Sequence, residues 1–267
     1  MKLRNHRVIT ININNMSQVL IQANPVFSRD VLHDKTIYVA ELFSDTIQGE
    51  GIFTGQVSTF LRVQHCSLNC GYCDSNEVWR FGNPYSVEEI CDLFEQNGLI
   101  EKFRNDQHLV FTGGSPLKQQ LNLIDLVDLF IERYGFKPYI EIENESVLSP
   151  HHKMIEYVDC WNNSPKLSSS GNTLRSRYKS EVIRKLSELN NSWFKFVVTS
   201  NEDWVEIERL FLDPGLIRRN QIILMPEGST REELIDTREL TVQIAIREGV
   251  RYSDRLHIIL WNKKTGV

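Results

Sequence analysis

From about Thr36 onward the chain alternates short β-type runs with amphipathic helical stretches. The alternation predicts strands at VSTFLRV, HLVFT, PYIEI, YVDCW, WFKFVV, QIILM and RLHIIL. Between them a helical period fits SVEEICDLFEQN, LNLIDLVDLFIERY, SEVIRKLSELN, EDWVEIERLFL and STREELIDTRELTVQIAIREG. The first of these is the best marked. Val87, Ile90, Cys91 and Phe94 recur at i, i+3, i+4 and i+7, and Ser86 with Glu89 forms a capping-box signature. Helices following strands at this spacing imply βαβ units, hence a parallel sheet with right-handed crossovers. About six or seven such units point to an α/β fold of the open, incomplete β/α-barrel kind. Residues 1–35 are Asn-rich and weakly patterned, and read as an N-terminal extension whose order the sequence does not settle. Residues 36–267 read as one domain, with no internal repeat and no low-complexity linker.

Composition narrows the class without naming it. Hydrophobic residues make up 41% and charged residues 24% of the 267, as in ordinary soluble domains. The net charge of −5 gives no reason to expect nucleic acid or an anionic membrane as partner, which favours a small-molecule substrate. No apolar run approaches the roughly 20 residues of a spanning helix. The N-terminus, MKLRNHRVITININNMSQVL, lacks the continuous apolar stretch of a secretory signal. The expected location is the cytoplasm, where thiols stay reduced. Of five cysteines, three fall within eight residues, and in a reducing compartment that clustering reads as metal binding.

Those three are Cys66, Cys70 and Cys73, in a loop that follows the predicted strand VSTFLRV. Loops after strands gather at the C-terminal face of an α/β barrel, where active sites lie. Gly71 lets the backbone curl so that the thiolates can converge on one centre. Structural zinc takes four protein ligands, and the adjacent His65 is badly placed to be the fourth. Iron–sulfur clusters usually have four thiolates, so three leave one iron open to a ligand. Cys91 and Cys160 read as core residues, since free cysteine is commonly buried.

The spacing CxxxCxxC, with Tyr72 before its last cysteine, resembles the cluster motif of the radical S-adenosylmethionine (SAM) superfamily. The resemblance implies a 4Fe–4S cluster whose open iron binds SAM and whose electron cleaves it to a 5′-deoxyadenosyl radical. It places Tyr72, Cys73 and Asp74 along the bound SAM. Phe111-Thr112-Gly113-Gly114-Ser115-Pro116 looks like the superfamily's GGEP motif, which receives the SAM amino group. Ser115 stands where Glu is usual, and brings a hydroxyl but no charge.

A more specific resemblance runs from about residue 37 to 267. Thr46-Ile47-Gln48-Gly49-Glu50-Gly51, Phe60-Leu61-Arg62, Ser164-Pro165-Lys166, Phe194-Lys195-Phe196-Val197-Val198, Met225-Pro226-Glu227-Gly228 and Ser253-Asp254-Arg255-Leu256-His257 are similar to the 7-carboxy-7-deazaguanine synthase family. That resemblance implies 6-carboxy-5,6,7,8-tetrahydropterin as substrate, hydrogen abstraction at its C6, ring contraction, loss of ammonia and regeneration of SAM. Ile47, Gln48, Gly49, Glu50, Arg62, Thr112, Arg255 and His257 would then meet the substrate. Gln48 offers a donor and an acceptor, and Arg62 a planar fork for a carboxylate. Arg255 and His257 are placed on one face of the predicted strand RLHIIL. The SAM side would include Gly113, Gly114, Ser115, Glu143, Ser164, Pro165, Lys166, Met225, Pro226 and Glu227. Glu141, Glu143 and Glu145 alternate along PYIEIENES, and three carboxylates on one strand face belong in a polar interior or in solvent. Mg²⁺ would be held by Ser75, whose other reading is a helix cap. The implied partners are a low-potential donor of flavodoxin or ferredoxin type and a second copy of the chain. Competing readings are another radical SAM enzyme, such as a glycyl-radical activase, and a non-catalytic metal-binding interaction protein.

Overall fold

The computed structural model describes residues 17–23 and 32–267. Among these residues ten strands make one sheet: β1 (Gln18–Gln22), β2 (Thr36–Ile47), β3 (Val57–Val63), β4 (Asn83–Ser86), β5 (His108–Gly113), β6 (Ile140–Asn144), β7 (Cys160–Asn163), β8 (Ser192–Val198), β9 (Ile222–Pro226) and β10 (Arg251–Tyr252). The order is β1-β2-β3-β5-β6-β7-β8-β9-β10, with β4 paired to β2. From β3 to β10 every neighbouring pair is parallel, whereas β1, β3 and β4 run antiparallel to β2. The two outermost strands do not pair with each other, so the barrel is incomplete. Much of the predicted N-terminal extension, 1–16 and 24–31, lies outside the described residues, but Gln18–Gln22 adds an edge strand to β2.

The helices cover the outer face of the sheet because each parallel connection must return over it. Helix Val87–Gln96 starts as predicted: Ser86 Oγ accepts from Glu89 N at 3.2 Å, and Ser86 N donates to Glu89 Oε2 at 2.8 Å. Its Val87, Ile90, Cys91 and Phe94 are buried against the sheet and the helix Gln120–Tyr134. Thr230 and Glu233 repeat the device at the start of Arg231–Glu248. Outward-pointing strand residues Leu61, Phe111, Ile142, Trp161, Phe194, Phe196 and Leu224 fill the layer between sheet and helices. Cys91 and Cys160 are buried as expected, and burial pushes the Cys91 thiol up to about 12. The segment EDWVEIERLFL begins as the α-helix Asn201–Ile207 and ends as a π-helical turn, Glu208–Leu212.

RLHIIL is a correction. Leu256–Trp261 is a helix, not a strand. The edge of β9 is taken by Arg251–Tyr252, and the run that follows pairs with neither strand. Instead Leu256 N–H donates to Gly49 O, and Arg255 O accepts from Ile258 and Ile259. A six-residue apolar run without strict alternation fits either element, and here tertiary context decides. Arg255 and His257 therefore do not share a strand face. They sit at the cap and in the first turn of this helix.

Candidate active site

The loop from Gln64 to Ser75 leaves the C-terminal end of β3 and carries all three cysteines into one cleft. Each sulfur has one N–H donor. Leu68 N donates to Cys66 Sγ at 3.4 Å, Asn172 Nδ2 to Cys70 Sγ at 3.2 Å and Trp79 Nε1 to Cys73 Sγ at 3.4 Å. Burial pushes the Cys66 thiol up to about 11, and nearby Glu145 adds to the rise. Cys70 is raised by burial too. Half-buried thiols supplied with N–H donors, with no fourth cysteine lining the cleft among the described residues, are suited to a three-thiolate cluster with one open iron.

The two glycines at the end of β5 serve this loop directly. A Cβ on Gly113 would lie 2.2 Å from Val63 O, and one on Gly114 would lie 2.1 Å from His65 O. Gly113 also has φ +136°, which side chains rarely adopt. That closeness lets Ser115 N donate to His65 O at 2.7 Å and Cys66 Sγ to Gly114 O at 3.4 Å. The cysteine loop and the Gly-Gly turn are thus one rigid wall.

Below the loop the inward faces of the strands are polar. Glu141, fully buried, accepts from His108 Nδ1 at 2.7 Å, Asn162 Nδ2 at 2.9 Å and Gln48 Nε2 at 3.5 Å. Glu143 accepts from Thr112 Oγ1 at 2.8 Å and Gln48 Nε2 at 3.4 Å. Glu145 accepts from Ser115 Oγ at 2.7 Å. Three carboxylates from one segment therefore rise in steps from the floor of the cleft to the cysteine loop. Opposite them, Arg62 Nε is held by Glu41 at 3.1 Å.

Glu50 centres a second set of charges. It pairs with Lys195, accepts from Arg255 Nε at 2.9 Å and lies 3.8 Å from His257 Nε2, while Arg255 also pairs with Asp74. Burial alone would raise the Glu50 carboxyl, but Lys195, Arg255 and His257 outweigh it and hold it well below the usual range. Burial likewise drives His257 down to about 4, so its imidazole is neutral near pH 7. A Cβ on Gly49 would fall 2.1 Å from His257 Nδ1, so that glycine makes room for the ring. Glu50, Asp74 and His257 bring potential ligand atoms within 4.8 Å of one another, although Lys195 and Arg255 already balance the two carboxylates.

Of the residues singled out from sequence, most line this one cleft. Ile47, Gln48, Gly49, Glu50, Arg62, Thr112, Arg255 and His257 do so. Tyr72, Asp74, Ser75, Gly113, Gly114, Glu143, Ser164, Lys166, Met225 and Glu227 do so with the cysteines. Ser115, Pro165 and Pro226 are behind its wall: Ser115 is fully buried, and the other two are not exposed to the cleft. Ser75 stands at the cap position of the short helix Asn76–Trp79 but makes no side-chain cap bond, which leaves its hydroxyl on the cleft. Lys166 Nζ donates to Ser164 Oγ at 2.7 Å. Of the charged residues lining the cleft, two had no assigned role, Lys195 and Glu145. A lysine between Phe194 and Phe196 was the available signal for the first, since a buried lysine needs a carboxylate.

A three-thiol loop, a glycine turn braced against it and an open parallel sheet define a radical SAM enzyme with a 4Fe–4S cluster. In agreement, residues 47–147 match a family described as a 4Fe-4S single cluster domain. The 7-carboxy-7-deazaguanine synthase of Pyrobaculum aerophilum is 31% identical over 86% of this chain and 97% of its own length. That of Halobacterium salinarum is 29% identical over 84% of this chain and 90% of its own. The fold is that of QueE from Escherichia coli, whose crystal structure superposes with a TM-score of 0.62 at 22% identity, over 84% of this chain and 96% of that one. The chain belongs to the 7-carboxy-7-deazaguanine synthase family.

Proposed function

We propose that this enzyme converts 6-carboxy-5,6,7,8-tetrahydropterin to 7-carboxy-7-deazaguanine with loss of ammonia, in the biosynthesis of queuosine-type 7-deazapurine nucleosides. The observation that supports it best is that the three-thiol loop and a buried array of donors and acceptors share one cleft, in a chain of this family. When bound, the cluster and SAM supply the electron and the 5′-deoxyadenosyl radical that takes hydrogen from C6 of the pterin.

The chain's own residues bind and orient. Cys66, Cys70 and Cys73 hold the cluster, and the N–H donors on their sulfurs favour the thiolate. Tyr72, Asp74, Gly113, Gly114, Ser164, Lys166, Met225 and Glu227 line the cleft with them and would form the SAM side. Ser115, Pro165 and Pro226 shape that side from behind. Glu143, which lines the same cleft, is assigned to the SAM side as well. Gln48, Glu50, Thr112, Ile47, Gly49, Arg255 and His257 form the pterin side. Gln48 and Glu50 offer an amide and a carboxylate to the N–H and carbonyl edge of the ring. Arg62, anchored by Glu41, presents its fork to the substrate carboxylate. Lys195 is raised in pKa because Glu50 and Glu143 overcome its burial, so it stays charged and keeps Glu50 ionised.

Mg²⁺ belongs to the same proposal. The Ser75 hydroxyl is a hard oxygen ligand on the cleft, and the ion would complete its shell with substrate oxygens and water while screening the substrate carboxylate. Also proposed are a flavodoxin- or ferredoxin-like electron donor, a homodimer and a cytoplasmic location. Among the described residues no helix is long and apolar enough to cross a membrane.

The test is anaerobic turnover of the reconstituted protein with SAM, Mg²⁺, a low-potential reductant and the carboxytetrahydropterin. Appearance of 7-carboxy-7-deazaguanine by mass spectrometry is expected. Formation of 5′-deoxyadenosine without that product would remove the substrate assignment and leave the radical class.

A further inference from the structure

The turn Gly113-Gly114-Ser115-Pro116 carries a hydroxyl that is fully buried and cannot meet a ligand's charge. The structure places a carboxylate beside it from the next strand. Glu145 follows the end of β6, lines the cleft and is only 4% exposed. Its Oε1 accepts from Ser115 Oγ at 2.7 Å, and Ser115 Oγ in turn lies 3.4 Å from the Ser67 hydroxyl of the cysteine loop. Its Oε2 is buried with no hydrogen-bond partner among the described residues. No cation pairs with it there either, in contrast to Glu41, Glu50 and Glu143, which lie within 4.0 Å of Arg62, Lys195 or Arg255.

An unpaired buried carboxylate oxygen is costly unless a donor arrives. The donor must enter through the cleft, at the end where the cysteines are. Glu145 lines the same cleft as Cys66, Cys70 and Cys73, and through Ser115 it is joined to Ser67 between the first two cysteines. Lys166 is the cation at the same end, already steadied by Ser164. A ligand with one amino and one carboxylate group meets complementary charges at these two residues, and SAM has both.

We propose that Glu145 is the residue that receives the SAM amino group, with Ser115 as the positioning residue that fixes its carboxylate. The carboxylate absent from position 115 is thus supplied from the end of the neighbouring strand. This rests on the radical SAM reading of the cleft and not on the identity of the second substrate.

The experiment is SAM binding to the anaerobically reconstituted full chain, by equilibrium dialysis and by the change SAM makes in the electron paramagnetic resonance of the reduced cluster. Glu145→Gln keeps the shape and removes the charge. It should weaken SAM binding about tenfold, the difference between a charge-assisted and a neutral hydrogen bond, at unchanged iron and sulfide content. Ser115→Ala should weaken it by a smaller factor. Where Glu145→Gln does not retain its cluster, the paired exchange Ser115→Glu with Glu145→Ala decides. Recovered SAM binding supports the assignment, and no recovery overturns it. Wild-type affinity in a fully loaded Glu145→Gln protein also overturns it. Wild-type protein that binds SAM normally yet makes no deazaguanine would instead refute the substrate proposal and leave this one standing.

Discussion

Along β6, Ile140 and Ile142 point to the helices while Glu141 and Glu143 point into the open barrel. The same division runs across the sheet: Leu61 against Arg62, Phe111 against Thr112, Phe196 against Lys195. One face is built by exclusion of water and the other by matching charges, though both are largely buried. On the outer face any side chain of the right volume serves, because burial free energy follows apolar area. On the inner face most polar groups have a named partner, and replacing one strands another. The outer face therefore sets stability, and the inner face sets chemistry at some cost in stability.

The cysteine loop is where the two faces part most. Replacing Cys66, Cys70 or Cys73 with Ala should abolish the iron–sulfur absorbance of the reconstituted protein while the fold survives, because these thiols lie outside the apolar layer. A full cluster in any of the three would contradict the ligand assignment. Next come two substitutions one strand apart. Ile142→Ala should cost about 2–5 kcal/mol in denaturant unfolding and leave kcat per folded molecule unchanged. Arg62→Lys retains the charge beside Glu41 but loses the fork, so the pterin KM should rise about tenfold with stability nearly unchanged. A mutant pattern reversed between these two would break the division of labour. Ser75→Ala should shift the Mg²⁺ titration of activity to higher concentration, and an unaltered titration would remove Ser75 from the metal site.

The smallest effect is on pH dependence. His257 is held near 4 by burial, below its ordinary value, so between about 6.5 and 4 the unfolded chain binds a proton that the folded one refuses. Stability should fall as pH drops through that window, by at most about 1.4 kcal/mol per unit. His257→Asn should flatten the slope. Glu50, held below the usual range, adds a further loss only at lower pH, as it is protonated. A stability profile flat from pH 7 to 5 in the wild type would contradict the neutral, buried imidazole.

The outer face was the more legible in sequence. Periodicity located the parallel strands β3 and β5 to β9 and the longer helices between them, because a repeating apolar stripe has one physical cause, but it missed β1, β2, β4, β10 and the short helices. It failed at Leu256–Trp261, where a short apolar run met a sheet edge already filled by β10. The inner face was legible only in part. Cysteine spacing located the loop, and the resemblance located most cleft residues, but pairings between distant residues leave no periodic trace. Lys195 with Glu50 spans 145 positions, and Ser115 with Glu145 spans 30. The resemblance assigned Gly113 and Gly114 to the SAM side, and in the structure they also admit the backbone of Val63 and His65.

The central claim is that the inner face directs a radical from SAM onto a carboxypterin and that SAM is restored at the end of each cycle. The most direct measurement counts 7-carboxy-7-deazaguanine against 5′-deoxyadenosine over many turnovers with limiting SAM. The account predicts many products per SAM present, with 5′-deoxyadenosine a minor species. One 5′-deoxyadenosine for each product would contradict the cofactor role of SAM, and 5′-deoxyadenosine with no product would contradict the reaction itself.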